Sequence, residues 1–336
     1  MSNEGQAPDL AGDRGFRSVR ESAYKYALAG CAVLSVLTTV SIIGVLVLDA
    51  AEFFAEVPVL RFLTGTTFSP NLEPVSFGVL PLVLGTILIT IGAGALALPT
   101  GVLTAIYLSE YASDRTRSIL KPMLEVLAGV PTVVYGYFAI VYVTPALNTV
   151  ITGFNGLLGT EFGTLGLFNG LSASIVVGIM IIPMVSSISE DAMSSVPDSL
   201  RQAGYGLGAT KFNVSLTIVV PAAVSGIASS FILAISRAIG ETMAVVLAAG
   251  SQPPDIPPVQ QAFGIPYVAP MDVLGLFTES SATMTVAMVN IAQGDISGGS
   301  TAYQSLFAIG LTLFVITLAM NVVSDLVASR YREVYE

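Results

Sequence analysis

Histidine and tryptophan are absent from this chain, cysteine occurs once and lysine three times. Without histidine there is no imidazole proton shuttle, histidine metal site or histidine acid–base catalysis. The single thiol, Cys31, closes no disulfide within one chain. Lying in the first apolar block, it reads as a small buried hydrophobe rather than a nucleophile or ligand. Charge is scarce too, at 11% of residues, against roughly 25% in soluble domains. No G-x-x-x-x-G-K-[ST] sequence occurs, so a nucleotide-binding P-loop of that kind is missing. Neither an internal repeat nor a separate soluble domain appears.

What is present is apolar: 53% of the 336 residues are hydrophobic, and they fall in long blocks. Six segments are long enough to cross ~30 Å of hydrocarbon, which takes about 20 helical residues. They cover approximately 27–48, 79–109, 120–146, 172–189, 217–250 and 304–327. The first follows Arg14, Arg17, Arg20 and Lys25. Its apolar run of about twenty residues exceeds the ~7–15 of a secretory signal, and no small-residue cleavage site follows. It reads as a retained anchor helix at 27–48, after an N-terminal segment at 1–26.

Basic residues set the orientation. With the N-terminus inside, the inner segments hold Arg14, Arg17, Arg20, Lys25, Arg115, Arg117, Lys121, Arg201, Lys211, Arg330 and Arg332, while the outer ones hold only Arg61. This bias places both termini in the cytoplasm. The net charge of −10 resides almost wholly outside the apolar blocks. Such an acidic, lysine-poor surface suggests a halophilic protein, because at 1 M salt the Debye length of ~3 Å removes its repulsion of anions. Stability unchanged between dilute and molar salt would refute that expectation.

The outer segments 49–78 and 251–303 are long, and the second opens with the Pro-rich run 252–258. Within it, residues Ser281 to Gln293 can form a helix too short to span. Asn290 and Gln293 make it a re-entrant or surface element, either a lid over the outer mouth or a docking surface.

Between the fourth and fifth blocks, Pro197-Asp198-Ser199 starts a short helix. Leu200, Ala203 and Leu207 recur at helical spacing, Gly208 ends it, and Lys211-Phe212-Asn213 begins another. The chain then reads Gln202-Ala203-Gly204, three residues, Gly208, nine residues, Ile218, one residue, Val220-Pro221. This resembles the cytoplasmic signature of ABC importer permeases, E-A-A-x3-G-x9-I-x-L-P, in spacing throughout. Gln202, Gly204 and Val220 depart from the acid, the second alanine and the leucine. The resemblance implies an all-α membrane protein with six transmembrane helices and a type I ABC importer permease fold over 78–327, with a coupling loop at 190–214. It further implies that Gln202, Ala203, Gly204, Tyr205, Gly208 and Ala209 dock into a separate ATPase subunit, where ATP and magnesium act; no cofactor is expected on this chain.

Arg237-Ala238-Ile239-Gly240-Glu241-Thr242 is similar to the R-A-x-G-E-T segment of phosphate-importer permeases, whose arginine and glutamate are implicated in transport. Residues 124–136, which contain Gly129-Val130-Pro131-Thr132, and Ser109-Glu110-Tyr111-Ala112 are also similar. The aliphatic run after Glu241-Thr242 looks like the PstC-type subunit rather than its PstA-type partner. The implied assembly joins a second, PstA-type permease, two ATPases and an extracytoplasmic phosphate-binding protein within membrane lipid; nucleic acid has no part.

The physics of that stretch stands beside the resemblance. A guanidinium at the centre of a membrane helix costs ~2.5–3.5 kcal/mol on insertion scales, so it faces a protein interior or a watery path. Its planar fork matches two oxygens of a phosphate. At i+4, Glu241 is placed to pair with Arg237 when the site is empty and to release it to an anion, which keeps binding reversible. The bland alternative is a bridge that locks helices. Pro131 breaks a helix and frees backbone groups, and Thr132 offers a hydroxyl, or else the break only shapes packing. Glu125 is expected to pair with Lys121, while Thr86, Thr90, Gly92 and Gly94 serve close packing. Substrates other than phosphate (molybdate, tungstate, sulfate) and a membrane phosphoesterase are the competing readings.

Overall fold

The first apolar block belongs to a longer helix, α1 (Arg14–Glu56), of 43 residues. At 1.5 Å per residue this is about 65 Å, twice the ~30 Å of hydrocarbon. It continues past 48 because Ala50 and Phe53 are buried. Phe53 meets Phe54, Phe62 and Phe77 edge-on. Glu52 accepts from Gln304 at 2.9 Å, and Glu56 accepts from Thr301. Residues 20–42 are exposed throughout. Cys31 is therefore exposed, not buried as expected, because this part of α1 has no cover within the chain.

The protein is represented by a computed structural model, which describes residues 14–71, 73–159, 163–258, 260–262, 265–267 and 269–330. Arg332 lies outside the described residues. After α1 come α2 (Val59–Thr64) and an antiparallel ribbon, β1 (Phe68–Ser69) with β2 (Ser76–Phe77), in which Phe68 faces Phe77. Next is α3 (Leu80–Ile106), which runs into a π-helical turn at Tyr107–Tyr111. The third block is divided. Helix α4 (Asp114–Ala128), N-capped by Ser113, ends before Pro131, and α5 (Thr132–Phe138) restarts the chain. A π-turn at Ala139–Val143 joins α5 to α6 (Thr144–Leu158).

Helix α7 (Gly170–Ser194) precedes two short helices, α8 (Asp198–Gly206) and α9 (Lys211–Val214). A third π-turn, Ser215–Val219, leads through α10 (Val220–Ala222) to α11 (Val224–Ile239) and α12 (Met243–Ala249). A second ribbon, β3 (Gln260–Ala262) with β4 (Ile265–Tyr267), and α13 (Pro270–Thr278) follow. The chain closes with α14 (Met284–Gln293) and α15 (Thr301–Arg330).

Among the described residues, five segments are long and apolar enough to cross a membrane: Arg20–Glu56, Leu80–Tyr111, Thr132–Leu157, Gly170–Ser194 and Thr301–Val323. Lys211–Ala222 with Val224–Ile239, bent by 69°, makes a sixth. Two expected spans are thereby corrected. The third lies at 132–157 rather than 120–146, because residues 114–128 form a separate helix ended by the Gly129–Pro131 break. The fifth is no single helix over 217–250. It bends before Val224 and stops again at Gly240.

The core forms where α3 packs lengthwise on α7, with α11, α12 and α14 closing around the pair. Small residues set the approach of the first two helices. Gly92 lies against Ser174, Gly178 against Ala93 and Leu96, and Gly101 against Val185. A Cβ at Gly101 would stand 2.6 Å from Val185 Cβ. Gly101→Val is accordingly expected to lower stability by ~1–3 kcal/mol through overpacking, measured as a reduced melting temperature in detergent. Gly94 departs from its expected packing role and opens onto an apolar groove of about 600 Å³ that Ile235, Ile239, Leu313 and Met320 also line.

Candidate functional site

Arg237 occupies the last turn of α11, not the middle of a continuous helix, since Gly240 ends α11 and α12 begins at Met243. Its side chain is exposed on this chain. Among the described residues it has no hydrogen bond and no ion pair. Ile235 and Ile239 line the apolar groove. Two residues on either side of them, the helical screw turns Arg237 to the opposite flank of α11. Leu233 and Gly240 share that flank and are exposed with it.

The expected pairing of Glu241 with Arg237 is absent. The break at Gly240 removes Glu241 from α11, so i+4 geometry no longer applies, and the carboxylate accepts instead from the Ala244 amide at 3.2 Å. Glu241 is buried, and its carbonyl accepts from the Thr285 hydroxyl at 2.9 Å. Thr242 turns its hydroxyl back to the Gly240 carbonyl, at 3.2 Å. Sequence spacing therefore located the arginine but not its freedom.

Helix α14 explains the arrangement. It is shorter than expected, and residues 284–287 and Ile291 are buried, so it packs into the core rather than lying on the surface. Thr86 of α3 accepts from the Met284 amide at 3.0 Å. The Thr283 and Thr285 hydroxyls lie 2.9 Å apart. Thr86 thus ties the start of α14 to α3, and Thr285 ties it to the Glu241 turn. Sequence reading missed Thr285 and gave Thr86 only a packing role. A Thr-rich helix start, Thr283-Met284-Thr285, was the available signal.

The break before Thr132 joins this region through packing. Pro131 N-caps α5, and the Thr132 hydroxyl has no partner among the described residues. Helix α5 meets α12 at Gly136, where a Cβ would stand 2.8 Å from the Ala244 carbonyl. The structure therefore brings the Gly129–Thr132 break and the Gly240–Thr242 break onto two touching helices.

The coupling loop folds as its spacing predicted. Pro197 precedes α8, and Thr210 caps α9 by accepting from the Asn213 amide at 3.4 Å. Gly208, at φ +80°, closes α8, with the Gly208 amide on Tyr205 at 2.9 Å and that of Ala209 on Gly204 at 3.1 Å. This is a Schellman motif, which needs the left-handed backbone that glycine supplies. The expected apolar stripe divides: Leu200 and Gly204 face inward, while Ala203 and Leu207 face out. Gly204 lies against Ile218 and Val214, which explains glycine at that position. Gln202, Tyr205, Leu207 and Phe212 are exposed around it.

Lys121 does not pair with Glu125. It reaches α7, bonding Glu190 at 2.7 Å and Asp191 at 2.6 Å, because α4 lies alongside that helix. Arg117 joins Glu190 as well, and Ser194 donates to it at 2.9 Å. Bonds to Asp191 first and Glu190 second hold the Lys121 ammonium above its ordinary value.

Residues 97–333 match the family described as "binding-protein-dependent transport system inner membrane component". The chain belongs to this family. It is thus a multi-pass inner-membrane permease subunit of a binding-protein-dependent ABC importer, with ATP hydrolysis on a separate subunit. The permease is 28% identical over 324 residues to "probable ABC transporter permease protein YqgH" of Bacillus subtilis, covering 96% of this chain and 95% of that one. It is 31% identical over 268 residues to "phosphate transport system permease protein PstC" of Mesorhizobium japonicum, covering 76% and 74%. Its fold resembles a bacterial alginate ABC transporter solved with a pentasaccharide-bound periplasmic protein, with a TM-score of 0.61 at 13% identity over 95% of this chain and 98% of that one. The expected type I permease fold is borne out.

Proposed function

We propose that this permease carries inorganic phosphate into the cytoplasm by alternating access, as the PstC-type half of a pair. The observation that supports it most is the Arg237 guanidinium, which is exposed and, among the described residues, unpaired while its neighbour Glu241 is occupied elsewhere. A buried bridge that merely locked helices would need a partner for Arg237. The flank bearing Leu233, Arg237 and Gly240 would face the PstA-type subunit across a shared path. The Thr132 hydroxyl, unpartnered among the described residues, is a further donor proposed there; that of Thr242 would join it on releasing the Gly240 carbonyl, with Glu241 holding the break in shape. Relatives whose names specify phosphate transport support this choice of anion.

Coupling follows from the exposed face of α8. Gln202, Ala203, Tyr205, Gly208 and Ala209 would dock into an ATPase, with two such subunits per complex, and Gly204 seats the helix. Both termini would be cytoplasmic, and an extracytoplasmic phosphate-binding protein would dock opposite. The acidic surface would make the complex more stable in molar than in dilute salt.

The test is ATP-driven uptake of radiolabelled phosphate into vesicles holding both permeases, the ATPases and the binding protein. Uptake competed by unlabelled phosphate but not by equal sulfate or molybdate is expected. Preferential competition by either of those would reassign the substrate, and phosphoester hydrolysis by the chain alone would point to an enzyme.

A further inference from the structure

The guanidinium of Arg201 on α8 is almost wholly enclosed, with 14% of its side chain exposed, and each of its nitrogens has a partner within the chain. Nη2 and Nε donate to Oε1 of Glu110 at 3.0 and 3.2 Å. Nη1 donates to the carbonyl of Val196 at 2.5 Å and to Asp198 at 3.2 Å, and Nη2 to the carbonyl of Met193 at 2.8 Å. Glu110 is only 4% exposed at its side chain and sits in the π-turn that ends α3. Its other contact is the Ser109 hydroxyl, which donates at 3.1 Å.

One turn further along the same inward face, α8 is held differently. Gly204 presses on Ile218, inside the π-turn Ser215–Val219, and on Val214. Lys211 lies 5.2 Å from the centre of the Tyr111 ring, which ties α9 to the first π-turn. Each anchor of α8 thus includes a π-helical turn, where i→i+5 bonding accommodates an extra residue. One anchor is apolar and non-directional; the other is a charge-assisted fork that fixes orientation.

We propose that Arg201 is a positioning residue whose fork on Glu110 makes α8 and the inner end of α3 move as one body, so that an ATPase stroke reaches the spans instead of being absorbed in the π-turns. The role rests on the reading of α8 as the ATPase-docking helix, but it is distinct from docking. Arg201 points inward, whereas Gln202, Tyr205 and Leu207 point out. Its loss therefore separates hydrolysis from transport rather than removing the ATPase.

The test uses the complete reconstituted complex and reads two quantities: ATPase retained on purification, and substrate imported per ATP hydrolysed. Arg201→Gln is expected to keep its ATPase and to import about tenfold less per ATP. Glu110→Gln, which removes the charge but keeps the shape, should fall in the same direction, and Glu110→Asp should recover part of the loss. A purely structural role would lower hydrolysis and import together and leave their ratio unchanged. A ratio within twofold of the unsubstituted complex in either Gln variant, or failure of both to assemble, overturns the proposal. Loss of the ATPase on changing the outward residues Gln202 and Tyr205 tests docking separately, so the two readings fail independently.

Discussion

Arg237→Ala abolishes phosphate uptake while the complex still assembles: that is the expected result. Among the described residues Arg237 has no partner, so its removal strands no buried charge and opens no core cavity. On the proposed pathway its contribution falls on the anion. Truncating one side of a desolvated, hydrogen-bonded charge pair costs ~2–5 kcal/mol, or roughly 30- to 5,000-fold in binding. Arg237→Lys should also be poor, because it keeps the charge and loses the planar fork. Assembly is read by co-purification of the ATPase and partner permease, and transport by radiolabelled uptake. Loss of the complex in Arg237→Ala would instead make the residue a structural bridge to the partner.

Glu190→Ala should produce the largest change in stability. The Glu190 side chain is fully buried, at 0% exposure, yet it carries the bonds from Arg117 and Lys121 that tie α4 to α7, and one from Ser194 of its own helix. Removing Glu190 gives up these charge-assisted bonds at a cost of about 1.5–3 kcal/mol, because Arg117 and Lys121 are partly exposed and Lys121 keeps Asp191. A melting temperature in detergent is the measurement, and an unchanged value would contradict this. Lys121 adds a pH signature. Its pKa lies above the ordinary 10.5 through Asp191 and Glu190. The contribution is therefore complete below the ordinary value and fades only as pH rises through the raised one. The stability gap between the protein and Lys121→Gln should be flat across neutral pH and shrink only in strong alkali.

What could be read from the sequence was local. Pro197 and Gly208 act on their own neighbours, so α8 and the turn after it emerged with their limits, whereas the next helix, expected to run from Lys211 to Pro221, ends at Val214 and gives way to a π-turn. The break at Gly129–Pro131 was visible for the same reason. Contacts across the chain were not. Apolar residues from Leu120 to Leu127 read as membrane, whereas Lys121 is drawn to Glu190 and Asp191 on another helix. The Arg237–Glu241 pair assumed an unbroken helix, and Gly240 ended it. Why Glu241 faces α12, with Thr285 beneath its carbonyl, depends on a segment 44 residues away. Hydrophobic periodicity carries no signal of such a meeting.

The most direct test of the pathway is the accessibility of position 237. Cys31 is the sole cysteine and is exposed, so Arg237→Cys is made in a Cys31→Ser background. Labelling by a charged, membrane-impermeant thiol reagent is measured in the assembled complex with and without trapped ATP. The account predicts that the thiol is labelled from water, from one side in one nucleotide state and more slowly or from the other side in the second. Labelling only by a lipid-soluble reagent, at one rate in both states, would place position 237 against lipid and contradict it.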